Sequence, residues 1–180
     1  MNGSLLTSPR GQANVGTFMS RLSLSPTIVA FFATAGFVGR LPKAPGTFGT
    51  LVAVPIALAL SLVGPTFYLI ATSVLIGFAI WISELHERNV GSHDSKEIVI
   101  DEVVGFLVAF TWLPLTLTSL VASFVLFRFF DIVKPYPISV LDRRVRGGLG
   151  VVVDDLAAGL ATSFLLQIVA SQTNWLLGVF

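Results

Sequence analysis

From residue 50 to residue 82 the chain carries no charged side chain, and Gly64-Pro65 is the one place where this stretch can turn. Two apolar runs, 50–63 and 66–82, joined by so short a break form an antiparallel helical hairpin. Further apolar runs occupy 97–113, 117–131 and 156–170, with Pro114 separating the first two. Hydrophobic residues make up 54% of the chain, charged residues 12%, and the mean hydropathy is +0.86, so there is too little polar surface to cover a globule in water. The expectation is an all-α, polytopic membrane helix bundle of about five short spans.

The remaining segments set its orientation. Residues 1–26, rich in Ser, Gly, Asn and Thr, read as a mobile N-terminal tail, and 27–180 as a single membrane-embedded domain. Residues 27–39 are too short an apolar run to span and read as an N-terminal half-span or interfacial helix. Ala33-Thr34-Ala35 before Gly36 is similar to a signal-peptidase site, but the long preceding tail and the interruption at Thr34 favour retention. Residues 40–49 hold two prolines and two glycines and form a structured loop, and 83–95 return to water. If residues 114–119 form a turn, all 11 Lys and Arg residues fall on one face of the membrane, which the positive-inside pattern makes cytoplasmic. Spans of about 14 to 17 residues measure roughly 21 to 26 Å against a hydrocarbon core of about 30 Å, so the bundle thins the bilayer or extends its helices into the charged segments.

The net charge of +1 and the lack of a basic stripe exclude a nucleic-acid partner, and the absence of cysteine excludes disulfides, thiolate metal sites and a cysteine nucleophile. With so little charge, its clustering becomes informative. Asp101-Glu102 enters an apolar helix near its start, where a divalent cation satisfies two carboxylates at once. Helix capping is the competing explanation, and Asp94-x-x-Glu97 has capping-box spacing. Arg128, Asp131 and Lys134 recur every three residues and share a helix face, as catalytic groups or as an interfacial ion-pair ladder. Arg143, Arg144 and Arg146 precede Gly147-Gly148, a combination that suits a phosphate group, with lipid headgroup contact as the alternative. Asp154-Asp155 opens the last helix with a second acid pair, suggesting metal ligation.

Three acidic clusters and a basic grip fit Mg²⁺-dependent hydrolysis of a phosphate ester. Asp101, Glu102, Asp154 and Asp155 are the candidate metal ligands, and Asp131 is a ligand or general base. Lys134, Arg143, Arg146 and Gly148 would hold phosphate, and Glu97, His93, Asp94 and Arg128 form a second tier. His86 reads as an interfacial polar residue. Intramembrane acids also suit a cation or phosphate transporter, although these acids lie at helix ends and no repeat is visible. A non-catalytic anionic-lipid-binding protein would explain the arginines but leave both acid pairs idle.

Four motifs in order carry a family resemblance: PKAPGTFGTL at 42–51, HD followed by IVIDEVVG across 93–105, FRFFDIVKPYPI at 127–138, and LDRRVRGGLGVVVDDLAAG at 141–159. With them the chain resembles the phosphatidylglycerophosphatase A type of bacterial lipid phosphatase. The resemblance implies a Mg²⁺-dependent, multi-pass enzyme of the bacterial inner membrane, with its site facing the cytoplasm. It implies removal of the terminal phosphate of phosphatidylglycerophosphate to give phosphatidylglycerol. It also places Asp101, Glu102, Asp131, Asp154 and Asp155 in the site, with Lys134, Arg143 and Gly148 beside them. The CDP-alcohol phosphotransferase pattern, Asp-Gly followed by Ala-Arg, Gly and two Asp, is absent.

Overall fold

The computed structural model describes residues 24–91 and 95–177, and among these every regular element is helical. The elements are α1 (Pro26–Ala33), α2 (Pro45–Val63), α3 (Pro65–Val90), α4 (Ile100–Ala109), α5 (Leu117–Val133), α6 (Ile138–Arg144) and α7 (Gly147–Gln172), with short 3₁₀ turns at Val38–Arg40 and Trp175–Leu177. Proline at the first position starts α1, α2 and α3, where its missing N–H costs nothing. The α2–α3 hairpin turns on Gly64 alone, whose φ of 129° is open only to glycine.

Among the described residues three helices, α2, α3 and α7, are long and apolar enough to cross a membrane. At 26 residues each, α3 and α7 run about 39 Å, so these helices extend into the charged segments. Two expected boundaries are corrected by this. Residues 83–90 do not leave the helix: α3 continues to Val90 and stops at Gly91, in left-handed conformation. The last helix does not open at Asp154 but two turns earlier, at Gly147. Leu62, Val74, Leu117, Ile132 and Phe164 are all more than 60% exposed, an apolar perimeter suited to lipid.

The third apolar run is shorter than its composition promised. α4 has ten residues and lies at the centre of the bundle, with Phe106, Leu107, Val104 and Ala109 fully buried. It ends at Phe110 because the chain swings through a left-handed Trp112 (φ 59°) before Pro114, and residues 95–99 precede it without helix. The Asp94/Glu97 capping box is therefore not the start of α4. Val99 is the cap, without a side-chain bond, and Glu97 instead pairs with Arg40 at 3.2 Å. Asp94 and His93 lie outside the described residues, as does most of the N-terminal tail.

Small residues let the helices approach α4. The buried face of α2 is Gly46, Gly49, Thr50, Ala53 and Ala57, a small-residue stripe. A Cβ on Gly159 of α7 would collide with the Gly105 carbonyl, and one on Gly105 would meet the Asp155 carbonyl at 2.9 Å and Phe127 at 2.8 Å. At the end away from the charges, Thr116 caps α5 by accepting from Ser119 N (3.1 Å) and donates to the Leu176 carbonyl at 2.6 Å. Tyr68 reaches from α3 to the Leu107 carbonyl at 2.7 Å.

Candidate active site

The close α4–α7 crossing brings the two acid pairs together. Gly105 stands four residues after Asp101 and Gly159 four residues after Asp155, so on each helix the contact glycine lies one turn beyond an acid and on the same face. One carboxylate oxygen from each of Asp101, Glu102 and Asp155 lies within 4.8 Å of the other two. α5 contributes from the side. Its buried residues Ser119, Ser123, Phe127 and Asp131 recur every four positions, so the face that packs Phe127 onto α4 also turns Asp131 inward.

These groups line a cavity of about 290 Å³, walled by Asp101, Glu102, Asp131, Asp142, Asp154 and Asp155 with Lys96 and Lys134 as its cations. Arg128 lies beneath. Its Nη1 is 2.6 Å from Asp131 Oδ2 and 3.7 Å from Glu102 Oε1, contacts of charge without the alignment of hydrogen bonds. Gly46 provides the room for Glu102 and Arg128, since a Cβ there would overlap the Glu102 carboxylate. Lys134 Nζ donates to Asp142 Oδ1 at 2.5 Å and to Asp154 Oδ2 at 2.6 Å. Burial pushes the Lys134 ammonium down, but hydrogen bonds and charge from the two carboxylates outweigh it and hold it above the usual lysine range.

Asp101 Oδ1, Glu102 Oε2 and Asp155 Oδ2 are buried with no hydrogen-bond partner. Two carboxylates about 4.8 Å apart repel by roughly 3 kcal/mol at an effective dielectric of about 20. The α4 N-terminus offsets only about 0.3 to 1 kcal/mol for each acid in its first turn. Helix stabilisation therefore does not account for the cluster. The donor set, all carboxylate with a free oxygen on each acid, would suit an oxygen-ligated divalent cation.

The other sequence candidates fall elsewhere. Arg143 and Arg146 are exposed and do not line the cavity; Arg143 Nε donates to the Ser139 carbonyl at 3.1 Å. Gly148 is buried against α3, and its N–H donates to Glu84 Oε2 at 2.7 Å. Asp142, Lys96, Gly46, Gly105 and Gly159 were missed as site residues. Gly105 and Gly159 had a legible signal in their spacing from the acids, whereas Gly46, Asp142 and Lys96 had none.

A family model for phosphatidylglycerophosphatase A matches residues 31–170, which takes in every wall of this cavity. The chain belongs to that family. Phosphatidylglycerophosphatase A of Haemophilus influenzae is 34% identical over 141 residues, covering 77% of this chain and 85% of the relative. The protein of the same name from Escherichia coli is 32% identical over 142 residues, covering 78% and 81%. A Bacteroides thetaiotaomicron protein, named provisionally as a phosphatidylinositol-3-phosphatase, is 36% identical over 173 residues, covering 89% of this chain and all of the relative. No solved structure matches the chain. As a member of the phosphatidylglycerophosphatase A family, the chain is a membrane-associated phosphatase, a phosphoric monoester hydrolase acting on a lipid.

Proposed function

We propose that the protein hydrolyses the terminal phosphate of phosphatidylglycerophosphate, giving phosphatidylglycerol and phosphate, and that it does so with Mg²⁺ at the cytoplasmic face of the inner membrane. The observation that carries this reading is the trio of buried carboxylate oxygens without partners in an acidic cavity, within a chain of this family. A phosphate monoester is itself anionic and would be repelled by that cavity unless a cation were bound first. Asp101, Glu102 and Asp155 would hold the ion. Bound there, it would supply Lewis-acid polarisation of the phosphoryl oxygens and a water of lowered pKa.

The chain's own groups divide the remaining work. Asp131 accepts the proton of the attacking water as the new P–O bond forms and the bond to the glycerol oxygen breaks; that oxygen takes a proton from solvent and leaves as the alcohol, and Asp131 returns its own proton to solvent. Arg128, between Glu102 and Asp131, fixes both carboxylates. Lys134 grips a phosphate oxygen. The exposed Arg143 and Arg146 meet the anionic headgroup layer beside the cavity. Transport is not favoured: Asp101 and Glu102 stand in the first turn of α4, and transporter acids belong near mid-membrane.

The test is phosphate release by the purified protein in detergent micelles, with Mg²⁺ and with EDTA, for wild type and Asp101→Asn. Release that needs Mg²⁺ and vanishes in the folded variant supports the assignment. Faster release from phosphatidylinositol 3-phosphate than from phosphatidylglycerophosphate would move the substrate toward the name of the Bacteroides relative, and no release from any phosphomonoester lipid would overturn the reading.

A further inference from the structure

We propose that Asp142 and Asp154 form a two-carboxylate cradle that positions Lys134 for the substrate phosphate, so that of the adjacent acids at 154 and 155 only Asp155 joins the metal cluster. The inference rests on the functional reading above and assigns work inside the same site.

Three observations carry it. The first is the division of free oxygens. Both pairs of acids line the same cavity, yet Asp155 has a buried Oδ2 without a partner while no Asp154 oxygen is left in that condition. Adjacent residues on a helix point about 100° apart, so when Asp155 faces α4 across the Gly105–Gly159 contact, Asp154 faces elsewhere. What it faces is Lys134 Nζ, at 2.6 Å.

The second is the backbone at Lys134. α5 ends at Val133, and Lys134 adopts a left-handed conformation (φ 44°, ψ 58°), uncommon for a residue with a Cβ. Its N–H still closes the helix on the Phe130 carbonyl, and the side chain ends between α6 and α7.

The third is donor arithmetic. A lysine ammonium has three N–H donors and no acceptor. Asp154, at 7% side-chain exposure, takes one from the buried side, and Asp142, at 37%, takes another from the mouth of the cavity. Two fixed donors orient the third. With all three residues lining the cavity, that last N–H is the one available to a phosphate oxygen. Asp142 and Asp154 are thus positioning residues, and Lys134 is the group that touches substrate.

The experiment uses the full chain in detergent micelles and reads two quantities, Mn²⁺ binding by electron paramagnetic resonance and the split of KM from kcat for phosphatidylglycerophosphate. Asp155→Asn is expected to lose Mn²⁺ binding, whereas Asp154→Asn and Asp142→Asn keep it. Lys134→Ala is expected to raise KM by about tenfold, the loss of one charge-assisted hydrogen bond. Asp142→Asn raises KM by a smaller factor, Asp142→Glu restores it, and Lys134→Ala/Asp142→Asn is no worse than Lys134→Ala alone, because residues acting as one unit do not add. Loss of Mn²⁺ from Asp154→Asn to the degree seen with Asp155→Asn overturns the proposal, as does additivity of the Lys134 and Asp142 changes. Should Asp154→Asn fail to fold, the Lys134/Asp142 cycle decides, since Asp142 lies at the surface. A wild type that neither binds Mn²⁺ nor releases phosphate is the distinct outcome that removes the functional reading, and the cradle with it.

Discussion

On α4, Asp101 and Glu102 stand in the first turn, and each leaves one buried oxygen without a partner; on α7, Asp154 and Asp155 stand two turns in, and only Asp155 does. The two sequences differ by a single methylene, yet their surroundings separate them. α4 begins at the cavity and presents both acids to it. α7 has already run two turns past α3 before its acids arrive, and it meets α4 on one side and Lys134 on another. Adjacent acids are therefore not a functional unit by themselves. Their roles follow from which neighbour each helix face meets.

The contrast yields predictions of decreasing size. Asp101→Asn and Asp155→Asn are each expected to lower kcat/KM by about a thousandfold or more, because both acids belong to the group that compensates a cation. Steady-state phosphate release checks this, and a large loss at one position but not the other would break the pairing across α4 and α7. Arg128→Ala is expected next, at about 3 kcal/mol of stability, since it leaves Glu102 and Asp131 buried without their cation. Denaturant unfolding in detergent measures it, and wild-type stability would mean that Arg128 does not compensate these acids.

Gly159→Ala is expected to cost about 2 kcal/mol, as its Cβ forces α7 away from the Gly105 carbonyl, and to lower activity by spreading Asp155 from Asp101. Thermal unfolding and turnover are expected to fall together; a stable but inactive variant would sharpen the point that the crossing serves the site. Smallest are the changes away from the acids. Thr116→Ala removes an N-cap and is expected to cost about 1 kcal/mol with kcat/KM unchanged. Glu97→Gln breaks an exposed pair with Arg40 and is expected to cost less than about 1 kcal/mol. A large loss of turnover in either would deny that function is confined to the acid faces.

Much of the fold was legible in the sequence. The uncharged run from 50 to 82 with its Gly64-Pro65 break made the α2–α3 hairpin readable, because a chain so apolar must satisfy its backbone internally. The candidate carboxylates were readable because charge among apolar helices is costly and therefore placed. Boundaries were less so. Residues 83–90 look polar, but Ser83, His86 and Glu87 are buried against neighbouring elements, so α3 continues where composition suggested water. Arg143, Arg146 and Gly148 looked like one phosphate grip because they are close in sequence. In the fold the arginines stay on the surface while Gly148 is taken up by Glu84, a residue 64 positions away.

The sequence alone determined the helical, apolar class, the family and five of the six acids that line the cavity, all but Asp142, since each depends on composition, on the order of apolar runs and on local motifs. Which acids face one another was decided only by tertiary structure. The Gly105–Gly159 contact fixes how closely α4 and α7 approach, and the 100° step between neighbouring helix residues then sends Asp155 to the carboxylate cluster and Asp154 to Lys134. Distances across helices depend on packing between residues far apart in the chain, and no local pattern records them.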